Sequence, residues 1–212
     1  ANQNWLYNLV TSLDMHPNAA GAFGKHLAYP DASPYTVRDM DAHFGNLLKY
    51  PLYLTKDTNS KRFEANDQQW MQLLHFYSDN NSCMRRSVWE KIPYRPVKFG
   101  EDQVWADDII KAGYGKLYAP RAVVYHSHDF EPAIHRERNM TEAAFFKHFF
   151  GYALIKNETA LENTLKDLNK NDEAWGVEHG LSPEAIEKQK ALNEARLGGY
   201  LEGYLADTSE MF

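Results

Sequence analysis

The chain has 212 residues, of which 43% are hydrophobic and 14% aromatic, with a mean hydropathy of −0.62 and a formal net charge of −6 at pH 7. This length predicts one domain, or one domain with a tail, with a substantial apolar core and the mean hydropathy of a soluble protein. A pI near 5.8 argues against a nucleic-acid partner, which would require a basic face, and no apolar run approaches the roughly 20 residues of a membrane-spanning helix.

The first 70 residues alternate helical patterns with one short apolar strand. Apolar residues at helical spacing predict helices over 4–15 and 34–48, the second preceded by Ser33 as a helix cap. The small apolar residues of 19–24 predict a buried strand between them. The polar segment 49–69 shows no clear periodicity and is interpreted as a long loop, which leaves a lid over a ligand and disorder as alternatives.

The next segment contains short apolar runs. Extended stretches are predicted over 73–77 and 82–84, followed by a short helix over 87–92. Cys83, in the second stretch, is the only cysteine of the chain, so neither a disulfide framework nor a cysteine-based zinc site is possible. A reducing, cytoplasmic location with a packed, inert thiol is the expectation.

The segment 99–129 carries the candidate chemistry. Its apolar spacing predicts a helix that begins at Glu101 and Asp102 and stops at Gly113, followed by extended segments over 116–119 and 122–126. The helix dipole stabilises negative charge in a first turn, so both acidic residues are candidates for ionised carboxylates and equally for simple helix caps.

Two histidines end the last extended segment. Side chains two residues apart on a strand point to the same side, so His126 and His128 can face one site. Neutral imidazoles are common metal ligands, and this pair followed by Asp129 is a candidate ligand set, although histidines of this kind are as often structural.

Three blocks of sequence carry a resemblance to a known family: 77–92 (YSDNNSCMRRSVWEKI), 99–105 (FGEDQVW) and 119–129 (APRAVVYHSHD). In order and spacing they resemble the second half of a family 2 glycosyltransferase of GT-A fold, and within it the rhamnosyltransferase-like branch. The resemblance implies an α/β fold with a GT-A-like mixed sheet flanked by helices and an α-helical C-terminal tail. It assigns 1–130 to the acceptor side of the catalytic domain and 131–212 to a helical extension. The N-terminal, nucleotide-binding half of such an enzyme is not represented, so this chain is expected to be inactive without it.

The resemblance also implies roles for individual residues. Asp102 corresponds to the catalytic base and Glu101 to a residue that orients the acceptor or the helix start. His126, with His128 as second choice, corresponds to the ligand of a divalent metal, Mn or Mg. The predicted substrate-binding residues are Asn80, Asn81, Arg85 and Trp105. The two asparagines would bind sugar hydroxyls, Arg85 a phosphate and Trp105 the face of a sugar. The alternatives are turn positions for the asparagines, a packed or ion-paired position for Arg85 and a core position for Trp105.

The implied activity is inverting transfer of a sugar, rhamnose by branch resemblance, from a nucleotide diphosphate sugar to a hydroxyl of a glycan or lipid-linked acceptor. Polysaccharide or surface glycan synthesis in the cytoplasm, including at the inner face of the membrane, is the expected setting. Two other hypotheses stay open: a non-catalytic carbohydrate-binding or assembly domain, and a metal-dependent hydrolase that uses His126, His128 and Asp129.

Beyond residue 130 the sequence predicts helices only. The segment 141–155 has a broad aromatic face that must dock on the core, on a second copy in a homo-oligomer, or on a membrane surface. The mixed-charge run 135–138 is either near a leaving diphosphate or a solvated face. Further helices are predicted over 161–168 and 182–197, with a break at 175–180 and Gly198-Gly199 as the end of the second.

Overall fold

The computed structural model describes residues 1–209 and 211–212, and the chain divides into two compact units. Unit 1 comprises residues 1–96 and 101–129, and unit 2 comprises residues 97–100 and 130–212. The secondary structure described for unit 1 is mixed, and that described for unit 2 is helical.

Unit 1 is built on a four-stranded mixed sheet with the strand order β2-β4-β1-β3. The strands are β1 (Ala19–Leu27), β2 (Tyr53–Leu54), β3 (Ser82–Met84) and β4 (Gly115–Tyr125). β1 and β4 run parallel at the centre, and β2 and β3 pair antiparallel with them at the two edges. The predicted α/β class is therefore confirmed.

Helices cover both faces of this sheet. They are α1 (Trp5–Asp14), α2 (Pro34–Leu47), α3 (Ser60–Glu64), α4 (Gln68–His75), α5 (Arg86–Trp89) and α6 (Glu101–Lys111), with 3-10 turns at Lys56–Asn59 and Asp79–Asn81. On one face, Leu9 and Leu13 of α1 pack on small and aliphatic strand residues that include Ala22 and Leu117. As predicted, Ser33 caps α2, its hydroxyl accepting from the backbone N–H of Thr36.

The opposite face of the sheet carries an aromatic core. Phe23 of β1 packs against Phe76, Tyr77 and Tyr118 with ring centroids 5.3–5.6 Å apart. Trp105 of α6 has no exposed surface and donates its indole N–H to the carbonyl of Ile92. Aromatic pairs of this kind add to the stabilisation that burial alone gives.

Two predictions for the segment before β3 were wrong. The segment 49–69 is not a structureless loop, because it contains β2, a 3-10 turn and α3, and α4 begins at its end. The stretch 73–77 is not a strand, since most of it belongs to α4. Asp67 caps that helix by accepting from the N–H of Trp70, and Trp70, Met71 and Leu74 form its buried face.

β4 is a single strand rather than two segments separated at Pro120. The pairing with β1 shifts register between Gly24 and Lys25, so residues 120–122 bulge out and Pro120 needs no N–H in the ladder. The Asn81 amide closes this irregularity by donating to the carbonyls of Lys25, at 3.2 Å, and Ala122, at 2.9 Å. A Cβ on Gly24 would overlap the Asn81 side chain, so only glycine lets the two approach.

Unit 2 contains α7 (Pro132–Phe150), α8 (Glu158–Glu178) and α9 (Pro183–Leu205). α9 continues through Gly198 and Gly199, so the prediction that these glycines end the helix was wrong. The break at 175–180 was also placed too early, because α8 continues to Glu178. Gly199 and Gly203 instead lie against the backbone of α7, where a side chain would collide with Arg136 and Met140.

The aromatic face of α7 is covered in part within unit 2. Phe145 is fully buried and contacts Phe99 and Phe212, with ring centroids 5.5 and 6.0 Å away. A homo-oligomer through 141–155 stays a prediction. In the part of the chain that the structure describes, no helix has the length and apolarity needed to cross a membrane.

Candidate active site

The candidate site lies at the edge of the sheet where the two central strands end. β1 and β4 are parallel, so their carboxyl ends meet at this edge, the usual location of ligand sites in open α/β sheets. α6 leads into β4 through the short turn at 112–114, so the first turn of α6 is directed toward the same edge. The segment 78–81, which precedes β3, completes the group.

Asp102 is a half-buried carboxyl in the first turn of α6. Its Oδ1 accepts from the N–H of Gln103 at 2.8 Å. Burial and then the negative charge of Asp79 raise the pKa of Asp102 to about 7, with Glu101 adding to the rise and backbone N–H groups of Gln103 and Asp79 opposing it. Asp102 can therefore both release and accept a proton near neutral pH.

Glu101, Asp79 and Tyr94 surround this carboxyl. Asp79 is exposed at the start of its 3-10 turn, and burial and the charge of Glu101 raise its pKa. The hydroxyl of Tyr94 is buried with no hydrogen-bond partner among the described residues. Burial and the charges of Asp79, Asp102 and Glu101 raise the pKa of Tyr94, so this hydroxyl stays protonated and can donate.

A histidine group adjoins the acidic residues through Ser78. The Ser78 hydroxyl lies 3.3 Å from Nε2 of His26, whose ring contacts that of His126 at 5.1 Å between centroids. The rings of His126 and His128 lie 4.8 Å apart. A series of neighbouring side chains therefore leads from Asp102 through Asp79, Ser78 and His26 to His126. His128 lies next to His126.

Two histidines of this group, His26 and His126, have lowered pKa values. Burial, and next the charges of His126 and His43, lower the pKa of His26 to about 4. Burial and the charge of His128 lower the pKa of His126. A neutral imidazole is the form that binds a metal ion or donates and accepts one hydrogen bond each.

These residues do not make a complete metal site. Among residues 1–209 and 211–212, no group of three or more His, Cys, Asp or Glu side chains is arranged to hold a metal ion. Asp129, the third residue of the hydrolase hypothesis, accepts from the N–H of Ser33 at 2.9 Å and the hydroxyl of Thr36 at 2.5 Å. Asp129 therefore anchors the start of α2, and nothing favours the hydrolase.

Three of the predicted substrate-binding residues serve the fold instead. Trp105 is fully buried and cannot stack on a sugar, and Asn81 is buried with its amide donating to strand carbonyls. The Arg85 guanidinium donates to the carbonyls of Ala19 and Leu13 at 3.1 and 3.0 Å, so it is not directed at a phosphate. Asn80, by contrast, is exposed beside Asp79.

A separate groove of about 410 Å³ lies on the α1 side of the sheet. Its lining includes Tyr7, Met15, Leu52 and Leu117 and is mostly apolar. The groove contains none of the acidic residues around Asp102, so it is not the candidate active site.

Two curated proteins are similar to this chain. They are the O-antigen chain rhamnosyltransferase RfbN of Salmonella typhimurium (strain LT2) and the O-antigen chain rhamnosyltransferase WbaN of Salmonella anatum. Each is 25% identical over 183 residues, covering 82% of this chain and 54% of the relative, so the chain spans about half the length of the curated relatives it matches. No family model and no solved structure matches. The similarity suggests a glycosyltransferase, while the family 2 and GT-A assignments remain predictions.

The sequence did not identify four members of the site: His26, Ser78, Asp79 and Tyr94. His26 could have been predicted in part, because a strand extended from 19–24 to Leu27 includes it. Asp79 and Tyr94 reach Asp102 only through the tertiary fold, and no spacing in the sequence could show this.

Proposed function

We propose that this chain is the acceptor-side part of an inverting glycosyltransferase, with Asp102 as the catalytic base. The observation that carries the proposal is the position of this half-buried carboxyl at the ligand-binding edge of the sheet, surrounded by Asp79, Glu101 and Tyr94. The similarity to two rhamnosyltransferases over 82% of the chain supports the reaction class.

The chemistry follows from the weak acidity of a sugar hydroxyl. Such a hydroxyl does not ionise near pH 7, so a base must take its proton as its oxygen bonds to the anomeric carbon of the donor. A carboxylate whose pKa lies near 7 is a stronger proton acceptor than an exposed aspartate and is still ionised in a large fraction of molecules. A single displacement assisted in this way inverts the anomeric configuration.

Glu101, Asn80 and Tyr94 are the groups we propose for acceptor binding. Glu101 is half-buried beside Asp102, Asn80 is exposed, and the unpartnered Tyr94 hydroxyl is a free donor in the described structure. A carboxylate, an amide and a hydroxyl together can donate to and accept from a sugar's hydroxyls.

We also propose a divalent cation, Mn or Mg, with His126 and His128 as its ligands from this chain. The two adjacent imidazoles suit this role, but they supply only part of a coordination shell, so we assign no step to the metal. When bound, such an ion would neutralise charge on the departing diphosphate.

The donor and acceptor are proposed from the relatives. Both relatives are described as O-antigen chain rhamnosyltransferases, so we propose a nucleotide diphosphate rhamnose as donor and a glycan, lipid-linked during assembly, as acceptor. We propose that the nucleotide is bound by a region equivalent to the half of each relative that this chain does not match. A non-catalytic carbohydrate-binding or assembly domain is the alternative.

The test is transfer from dTDP-rhamnose to a lipid-linked glycan by this chain joined to a nucleotide-binding half. Transfer by the wild type with loss in Asp102→Asn supports the proposal. Binding of the acceptor glycan by both proteins, without transfer by either, would favour the carbohydrate-binding alternative. Calorimetric titration with UDP, GDP and dTDP, with and without Mn²⁺, tests the metal and the nucleotide, and unchanged metal affinity in His126→Ala would remove His126 from the ligands.

A further inference from the structure

Unit 2 contains an arrangement of positive charge that its fold leaves uncompensated. Four of the six lysines and arginines on α7 and α9 have a hydrogen-bonded partner: Arg136 bonds to Glu202, Lys188 to Glu131, Lys190 to Glu173 and Glu187, and Lys147 to the carbonyl of Ala206. Arg138 and Arg196 form no hydrogen bond or ion pair with any carboxylate among the described residues. These two arginines therefore differ from the paired cations of the same helices.

The packing of α7 and α9 places these two arginines side by side. Gly199 lies against Arg136 and Met140, and Gly203 lies against Met140 and Ala143, so the two helices run parallel in close contact. The Tyr200 hydroxyl donates to Glu142 at 3.2 Å, which fixes the register. One turn before this contact, α9 carries Arg196 and α7 carries Arg138.

Other groups complete a shallow cluster around the two guanidinium groups. The guanidinium of Arg138 lies over the ring of Phe130, 4.9 Å from its centroid, and Phe130 stacks on His135 at 6.1 Å. Burial, then the charge of Arg196 and that of Arg138, lower the pKa of His135, so both guanidinium groups act on this imidazole. The stacked arginine keeps its N–H edge available, and Arg138 is exposed to solvent.

The nearby carboxylate does not balance the cluster. Glu142 is one negative charge facing two positive charges, and burial raises its pKa although Arg138 and Arg196 oppose the rise. Two like charges held close together on packed helices are unfavourable in the absence of an anion. An oxyanion between two guanidinium groups removes this cost and forms charge-assisted hydrogen bonds with both.

We propose that Arg138, Arg196 and His135 form a binding site for a phosphate or diphosphate group on unit 2. Arginine suits this ligand because its planar fork of donors matches phosphate oxygens. The site is independent of the transfer reaction proposed for unit 1. Two sources have the required chemistry, a nucleoside diphosphate and a phosphorylated lipid headgroup.

The first experiment uses inorganic pyrophosphate as the probe, by calorimetry with the full chain at low ionic strength in EDTA. The wild type should bind, and Arg138→Gln and Arg196→Gln should each weaken binding at least about tenfold, as loss of a charge-assisted contact predicts. The matched control is Arg136→Gln, which removes the same charge from the same helix but from an ion-paired residue. Absence of binding by the wild type, or an equal loss in Arg136→Gln, would overturn the proposal.

A second measurement keeps the test valid if a variant is less stable. Pyrophosphate should raise the melting temperature of the wild type and of Arg136→Gln, but not that of Arg138→Gln or Arg196→Gln. An equal rise in all four proteins would contradict a site at these arginines. Because EDTA removes divalent cations and Asp102 is unchanged, failure here says nothing against the proposed transfer.

Two further titrations identify the source of the phosphate. UDP and dTDP are tested in the same buffer, and vesicles of phosphatidylglycerol are compared with vesicles of phosphatidylcholine. Binding that is lost in Arg138→Gln and retained in Arg136→Gln assigns the site to whichever ligand shows it. Pyrophosphate binding with neither of these ligands bound would overturn both physiological assignments.

Discussion

Two carboxyl groups on α6 have opposite environments. At the start of the helix, Asp102 has backbone N–H groups and two other acidic residues around it, and its pKa is raised to about 7. Five residues later, Asp107 is buried with Nε2 of His75 at 3.0 Å and Nζ of Lys111 at 2.7 Å. Burial alone would raise the pKa of Asp107, but the hydrogen bonds from His75 and Lys111 outweigh it and lower the pKa.

The difference separates a group suited to chemistry from one suited to structure. A buried carboxylate that accepts hydrogen bonds from a lysine and an imidazole is stabilised as an ion and stays unreactive, whereas one with acidic neighbours exchanges its proton near neutral pH. Both residues lie on one helix, so the helix itself does not decide the outcome. The neighbours contributed by other segments, Asp79 for Asp102 and His75 for Asp107, decide it.

The largest expected effect is on transfer. Asp102→Asn should reduce the rate by about 10²–10⁴, the usual contribution of a general base, while the fold is retained. The rate is measured with the donor and acceptor proposed above, with this chain joined to a nucleotide-binding half. The control is Asp108→Asn, which changes a carboxyl on the same helix that pairs with Arg95 and should leave the rate unchanged. Normal turnover in Asp102→Asn would exclude this residue as the base.

The next effect is on stability and concerns Asp107 of α6. Asp107→Ala should lower the free energy of unfolding by about 3 kcal/mol at pH 7, because it leaves the buried His75 and the Lys111 amine without their partner. Urea unfolding measures this loss, and Asp108→Ala should cost less than about 1 kcal/mol, as a more exposed pair does. An equal cost for the two variants would contradict the assignment of Asp107 as a stabilising buried ion.

The pH dependence of stability should have opposite signs for the two residues. The pKa of Asp102 is higher in the folded than in the unfolded chain, so the folded state binds more protons and this group's contribution to stability falls from about pH 4 to pH 7. Asp102→Asn should therefore be more stable than the wild type by on the order of 2 kcal/mol at pH 8 and equal to it below pH 4. The pKa of Asp107 is lowered, so its contribution is present above the unfolded pKa and is lost on acidification. The free energy of unfolding in urea is measured from pH 3 to pH 8 for the wild type, Asp102→Asn and Asp107→Ala. The same pH dependence in all three proteins would contradict the prediction.

The smallest effect concerns Asp79. Removing its charge in Asp79→Asn should lower the pKa of Asp102 and move the acidic limb of the pH–rate profile downward by less than about one unit. A titration of the Asp102 carboxyl by NMR gives the same answer without an assay. Glu64→Gln, an exposed change elsewhere in unit 1, is the control, and an unshifted limb would show that Asp79 does not act on the base.

Elements with local signals were predictable from the sequence. The Ser33 cap, the periodic residues of α1 and α6 and the small residues of β1 specify their structure within a few positions, and these elements are observed. α4 was missed although Asp67 is a good cap, because the apolar residues of 73–77 also fit a strand. The course of α9 through Gly198 and Gly199 depends on packing against α7, which no local pattern shows.

The site was predictable only in part, for a similar reason. Motif and spacing predict Glu101, Asp102, His126 and His128 as candidates, since each pair is adjacent or nearly adjacent in the chain. Asp79 is 23 residues from Asp102 in the numbering, and its effect on that carboxyl exists only in the folded chain. The structural roles of Trp105 and Arg85 were likewise decided by tertiary contacts with Ile92 and with the carbonyls near α1.

The Asn81 bridge has a consequence for how the edge of the sheet moves. Its amide donates hydrogen bonds from the 78–81 turn to carbonyls of both central strands, so a displacement of the turn would break both hydrogen bonds. The backbone N–H that Asp79 directs at Asp102 is therefore preorganised, and a ligand would not have to bear the entropy of ordering it. Amide hydrogens of residues 79–82 should accordingly exchange with solvent as slowly as those of the adjoining strands rather than at the rate of a surface turn.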